Sequence, residues 1–178
     1  MNNLNPVVLL VPLSALILVV ILYICLLKKA LNRGHFKLFI FILILFAVLF
    51  NFVWEMLQMP LYKGMGNNIQ SAVFCALAAV ADAIMILLLY LGFAFIYKNP
   101  FWIEGLQWKR VLLIMIIGGT GAILAEIRHL SAGNWAYTES MPVLAFVAVG
   151  IVPVLQFMIL PVVIFYVSLY LLNVVKDR

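Results

Sequence analysis

From Leu38 to Phe50 the chain runs without one polar side chain, and four further stretches come close to it. Such a run is too long for a strand and lacks the polar face that a surface helix needs. In a bilayer, a helix of about 20 apolar residues crosses the hydrocarbon core with its backbone groups bonded internally. The strands of a membrane barrel would alternate apolar and polar side chains, and these runs do not. With 68% of 178 residues hydrophobic and 10% charged, no soluble domain would hide the apolar surface. The reading is an all-α integral membrane protein, one domain over residues 1–178, folded as a bundle of five transmembrane helices.

The first span is expected at about 6–27, with Asn2, Asn3 and Asn5 ahead of it, Pro6 in its first turn and Pro12 kinking it. The second covers about 38–59 and is ended by Pro60. The third, at about 71–97, is alanine-rich with Asp82 in its middle, and the fourth, at about 111–130, carries Gly118, Gly119 and Gly121. The fifth covers about 143–175 and is broken at Pro153 and Pro161. Trp102 and Trp108 read as interfacial anchors. Met1 to Asn5 has no basic segment and Lys28-Lys29 follows the first run, so that run reads as a retained helix rather than a cleaved signal. Cys25 and Cys75 fall at opposite faces, as unpaired thiols.

The formal charge of +5 reflects topology rather than a nucleic-acid surface. Basic residues gather in short loops: Lys28, Lys29, Arg33 and Lys37, then Lys98, Lys109 and Arg110, then Lys176 and Arg178 in the tail. The alternate loops offer only Lys63 and Arg128. By the positive-inside rule the amino terminus is outside and the carboxyl terminus cytoplasmic. No nucleic acid is expected as a partner.

Polar groups inside apolar spans are costly and mark a site by default. Asn51, Glu55 and Gln58 fall at i, i+4 and i+7, on one helix face, with Trp54 beside them. Asp82, Glu126, His129 and Gln156 come from three other spans and fall in the same, outer half of the membrane. Glu126 and His129 are three apart and share a face, an arrangement that passes protons. Glu55, Asp82, Glu126 and His129 are therefore the candidate catalytic residues. Asn51, Trp54, Gln58, Trp135, Tyr137 and Gln156 are the candidate substrate-binding residues. Glu55 is expected to face Glu126 or His129 across the helix interface. Asp82 is expected to be neutral, because Arg128 and a protonated His129 balance two carboxylates at most.

Eight of these ten have a plain structural alternative: an ion pair of Glu55 with Arg128, a protonated Asp82 tied to a neighbouring helix, a wetted His129, belt aromatics at Trp135 and Tyr137, and interhelical hydrogen bonding by Asn51, Gln58 and Gln156. Gly118-Gly119-Thr120-Gly121 lies within a span and lacks the strand and lysine of a phosphate loop. With one histidine near the carboxylates and no cysteine pair, neither a metal nor a cofactor is expected. The glycine face of span four offers a contact for a second copy of the chain.

The run Phe52-Val53-Trp54-Glu55-Met56-Leu57-Gln58-Met59-Pro60-Leu61-Tyr62, with Trp135-Ala136-Tyr137 and Met141-Pro142, resembles small uncharacterised bacterial inner-membrane proteins, a family that implies no activity. Gly133-Asn134-Trp135-Ala136-Tyr137 with Gly150-Ile151-Val152-Pro153-Val154-Leu155-Gln156 is similar in layout to the membrane-embedded lycopene cyclases, which cyclise carotenoid ends by proton donation. Leu155-Gln156 stands where those enzymes have an acidic pair. The functional expectation is a membrane-embedded enzyme of the bacterial inner membrane, doing acid/base chemistry on an isoprenoid or other lipid-soluble substrate. An accessory subunit without catalysis and a small ion-coupled transporter are the alternatives.

Overall fold

The computed structural model describes residues 10–176. The expectations for Asn2, Asn3, Asn5, Pro6 and Arg178 lie outside the described residues. Five helices carry the chain: α1 (Leu10–Lys29), α2 (Arg33–Gln58), α3 (Ile69–Ile96), α4 (Trp108–Ser131) and α5 (Ile151–Lys176). All five are long and apolar enough to cross a membrane. The fold is that of an all-helical, multi-pass membrane protein.

Local chemistry sets the helix ends. Asn32 caps α2, its side chain accepting from the His35 amide at 3.0 Å. Asn68 caps α3 in the same way through the Ser71 amide, at 2.9 Å. These caps satisfy amides that have no partner within the helix. Helix α2 therefore begins five residues before the expected position, inside the basic loop. It also does not stop before Pro60. One 3-10 turn, Met59–Leu61, continues it, because a proline at the start of a new turn has no amide to lose.

The fifth span differs most from its expected form. Val143–Leu144 (β1) and Val149–Gly150 (β2) form a short antiparallel hairpin, and the helix starts only at Ile151. Pro153 therefore sits in the first turn, where it breaks nothing, and Pro161 alone lies in the helix interior.

In packing, α1 lies on α3, α3 on α2, α2 on α5 and α5 on α4, while α3 and α4 barely touch. The main core fills the end of the bundle where the basic loops lie, around Phe36, Phe39, Leu43, Tyr90, Trp102 and Phe165. Trp102 is not the interfacial anchor expected of it. It is 1% exposed, plugged into the bundle with its indole N–H on the Tyr90 carbonyl at 3.2 Å, and Arg110 holds the Trp102 carbonyl at 2.8 Å. Trp108 is exposed. Cys25 and Cys75 are both free.

The glycine face of α4 is used within the chain. A Cβ at Gly118 would collide with the Phe157 carbonyl of α5, and one at Gly119 would stand 2.9 Å from Met158 Cγ. Gly118 and Gly119 thus pack on α5 within the chain, while Gly121 has open space beside it.

Candidate functional site

At the other end of the bundle the polar face of α2 meets α3 and α5. Asn51, Gln58 and Gln156 are buried. Gln156 Nε2 donates to Asn51 Oδ1 and Asp82 Oδ2, each at 2.9 Å, and reaches Glu55 Oε1 at 3.3 Å. Gln58 Nε2 donates to Glu55 Oε1 at 2.7 Å and to Gln156 Oε1 at 3.1 Å. Asn51 Nδ2 donates to the Ala47 carbonyl at 2.7 Å. Each amide nitrogen faces acceptors only, so a flip of any of the three would set oxygen against oxygen. The Glu55 and Asp82 carboxyls are thus held side by side on the one Gln156 nitrogen.

Glu126 enters from α4 and is held differently. Its Oε2 accepts from Trp135 Nε1 at 3.1 Å and from the Tyr137 hydroxyl. The Tyr137 oxygen in turn accepts from the Gly150 amide at 3.0 Å. That approach favours a glycine, since a Cβ at Gly150 would crowd Tyr137 Cζ at 3.2 Å and Met141 Sδ at 3.0 Å. Among the hydrogen bonds of the described residues, none reaches Glu126 Oε1.

The two loops at this end are zipped together. Tyr62 and Tyr137 form an antiparallel bridge, with Lys63 N–H on the Ala136 carbonyl at 2.8 Å and Thr138 N–H on the Leu61 carbonyl at 2.9 Å. The Tyr62 ring meets Tyr137 edge-on at 5.5 Å. Burial pushes the Tyr62 phenol well above its ordinary pKa, and the nearby Glu126 and Glu55 charges push it further. Burial raises the Tyr137 phenol too, and its bond to Glu126 adds to this. Both remain hydrogen-bond donors at neutral pH.

Glu55, Asp82 and Glu126 share one cavity of about 630 Å³, within the roughly 300–1,000 Å³ of small-molecule sites. Its floor is Glu55 and Gln58 from α2 with Gln156 from α5. Phe74, Ala78 and Asp82 line it from α3, Glu126 from α4, and Trp135 and Phe157 add apolar wall. Exposed Lys63, Gly64 and Gly133 ring the loop end. The side wall is the seam where α3 and α4 do not pack.

Six of the ten expected site residues thus line one cavity: Glu55, Asp82, Glu126, Gln58, Trp135 and Gln156. Asn51 stands behind Gln156, and Tyr137 behind Glu126. Two expectations are corrected. Trp54 packs against the apolar core, because the cavity side of α2 is taken by Glu55 and Gln58. His129 does not meet a carboxyl; its Nδ1 pairs with Asn134 Nδ2 at 2.8 Å and its ring stacks on Trp135 at 4.2 Å. Glu55 accordingly bonds to Gln58 and Gln156, not to Glu126 or His129, although Glu126 lines the same cavity. Arg128 is exposed and balances none of the carboxyls. Among the described residues no three of His, Cys, Asp and Glu gather as a metal site would need.

Tyr62, Lys63 and Asn134 also line the cavity, beyond the ten expected site residues. Their signal was position alone: each lies within a few residues of a span end next to a polar helix face. Compared with known proteins, the chain matches no family model, no curated protein and no solved structure.

Proposed function

We propose that the chain is a membrane-embedded enzyme that moves protons on a lipid-soluble substrate, with an isoprenoid double bond as the reacting group. The observation that carries this reading is the cavity itself: a carboxyl pair and a separate carboxylate face one apolar-walled space beside an unpacked seam. The seam offers a chain-like substrate a way in from the bilayer.

The chemistry that fits is migration of a double bond. The Glu55–Asp82 pair gives its proton to one alkene carbon, forming a C–H bond and leaving positive charge on the neighbouring carbon. Glu126, through the free Oε1, takes a proton from an adjacent carbon, and the electrons of that C–H bond form the new double bond. Protons balance with no further reactant once the carboxyls exchange with water at the cavity mouth. The Trp135 and Tyr62 rings stabilise the transient cation, and Trp135 and Tyr137 fix Glu126 in place. His129 acts as a positioning residue behind Trp135.

A transporter would need a polar path onward. Beyond Asn51 and Asp82 the bundle is closed by Leu43, Ala47, Ile86, Leu87 and Tyr90, which argues against that alternative. In this reading the basic loops face the cytoplasm, the amino terminus lies outside and the cavity sits in the outer half of a bacterial inner membrane.

Exchange in heavy water tests the proposal. The full chain is reconstituted with total bacterial inner-membrane lipid, and lipids are screened by mass spectrometry for deuterium bound to carbon. One lipid species should gain label only with the protein present. Glu55→Gln and Asp82→Asn should each abolish the gain while helical circular dichroism is kept. No protein-dependent label, or undiminished label in both variants, refutes it; the former is what an accessory subunit predicts.

A further inference from the structure

The side-chain hydrogens of the cavity floor are all committed. Both Gln58 and Gln156 spend their amide hydrogens on acceptors within the network. The amides also run in one direction: Gln58 donates to Gln156, Gln156 to Asn51, and Asn51 to the Ala47 carbonyl. The chain of donors lacks its first member. Gln58 lines the cavity, is 3% exposed, and its Oε1 has no partner. A buried acceptor left unmatched is costly, so this one calls for a donor. Glu126 lines the same cavity, and none of the hydrogen bonds of the described residues reaches its Oε1. Three carboxyls line the cavity against one lysine, Lys63, which is exposed at its mouth.

We infer that the cavity floor is a binding site for a protonated amine at the head of an apolar chain. An ammonium brings several N–H donors and a positive charge to a floor that offers acceptors and negative charge. A hydroxyl supplies one donor and no charge. An anionic head group meets acceptors only. The apolar tail lies against Phe74 and Phe157. The inference rests on the proposed reading of this cavity as a site for lipid-soluble molecules. It deepens that reading, because the transient cation of the reaction forms where the ammonium is held.

Four dodecyl probes separate the contributions: dodecylamine, dodecyltrimethylammonium, dodecanol and dodecanoate. Saturable binding of radiolabelled dodecylamine to the full chain in neutral-lipid nanodiscs is measured, with the other three as competitors. Dodecylamine should bind saturably. The quaternary ion, which keeps the charge and loses the N–H groups, and the alcohol should each compete at least tenfold more weakly, and dodecanoate should not compete. Gln58→Met should weaken dodecylamine about tenfold and bring the quaternary ion level with it. If Gln58→Met does not fold, Glu126→Gln on the neighbouring helix should give a loss of similar size.

Equal competition by amine, quaternary ion and alcohol overturns the inference. So does unchanged amine binding in Gln58→Met, the result expected if Gln58 Oε1 is matched instead from Trp54 Nε1, the unpartnered donor one turn back on α2. In either case a saturable site leaves the acid/base reading standing. If dodecylamine does not bind saturably, the inference falls, and the heavy-water labelling alone decides the acid/base reading.

Discussion

Gly118→Ala tests the seam that holds α5 in place. Pro161 has no amide hydrogen, so the carbonyl of Phe157, four residues back, loses its helical partner. The backbone of α4 closes on that carbonyl at Gly118, where an added Cβ would overlap the oxygen and stand 3.1 Å from the carbonyl carbon. Backbone cannot rotate aside as a side chain can, so the helices must part. Such overpacking costs about 1–3 kcal/mol, partly offset by the roughly 1 kcal/mol by which alanine favours a helix over glycine. The net loss is up to about 2 kcal/mol.

The same helix supplies the controls. At Gly119 the new Cβ meets Met158, 2.9 Å from Cγ and 3.2 Å from Sδ, atoms of a flexible side chain that can yield. Gly119→Ala should therefore cost less. At Gly121 nothing lies within 4 Å, and alanine should be neutral or stabilise by up to about 1 kcal/mol. The assay is reversible unfolding in mixed micelles, followed by helical circular dichroism as the fraction of denaturing detergent rises. The order of stability should be Gly121→Ala, Gly119→Ala, Gly118→Ala, with about 1–3 kcal/mol between the extremes. Gly118→Ala as stable as Gly121→Ala would show that α4 and α5 do not meet at this carbonyl. Gln156 is the residue before Phe157, so parting the helices should also weaken the deuterium labelling.

Gln156→Leu leaves Asn51, Asp82 and Gln58 each short of a partner, and at about 1–3 kcal/mol per orphaned group it should lower stability by roughly 3 kcal/mol or more, read in the same unfolding assay. Tyr62→Phe and Tyr137→Phe should not change the tyrosinate absorbance developed below about pH 11, because both phenols are raised above the ordinary value of about 10. The linkage sign follows: each phenol's stabilising effect is complete below about pH 10 and is lost above it, where only the unfolded chain ionises, so alkaline unfolding should be shallower in both variants. With Cys25 and Cys75 replaced, cysteines at Asn67 and Glu139 should react with an impermeant reagent outside intact cells and those at Leu31 and Glu104 should not; the opposite pattern would invert the proposed orientation.

The five helices were legible because hydrophobic length is a strong signal and loop charge does not interfere with it. The polar face of α2 was legible for a similar reason: Asn51, Glu55 and Gln58 stand out against apolar neighbours at helical spacing. What failed were features that the apolar alphabet hides. The hairpin at 143–150 turns through Ala145, Phe146, Val147 and Ala148, with no Asn or Gly to announce it, and Ala148 takes the left-handed conformation at φ 52°. Trp102 looked like a belt tryptophan because the sequence cannot show a loop folding back into the bundle. His129 was paired with Glu126 on helical spacing, but the loop that follows α4 brought Asn134 and Trp135 to the imidazole first.

The division between the two carboxyl groups follows from which parts of the chain hold them. Glu55 and Asp82 are fixed by Gln156, a side chain on rigid helix, so their separation is set by the packing of α2, α3 and α5. Glu126 is fixed by Trp135 and Tyr137, which belong to the loop after α4, and Tyr137 is fixed in turn by Gly150 and the bridge to Tyr62. One half of the site is therefore built into the bundle and the other is held by the zipped loops. A change that unzips the loops should release Glu126 while leaving the Glu55–Gln156–Asp82 arrangement whole. In a reaction that gives a proton at one place and takes one at another, that would uncouple the two steps. Protonation would persist while proton removal slowed, and a trapped cation or water adduct would accumulate in place of the rearranged double bond.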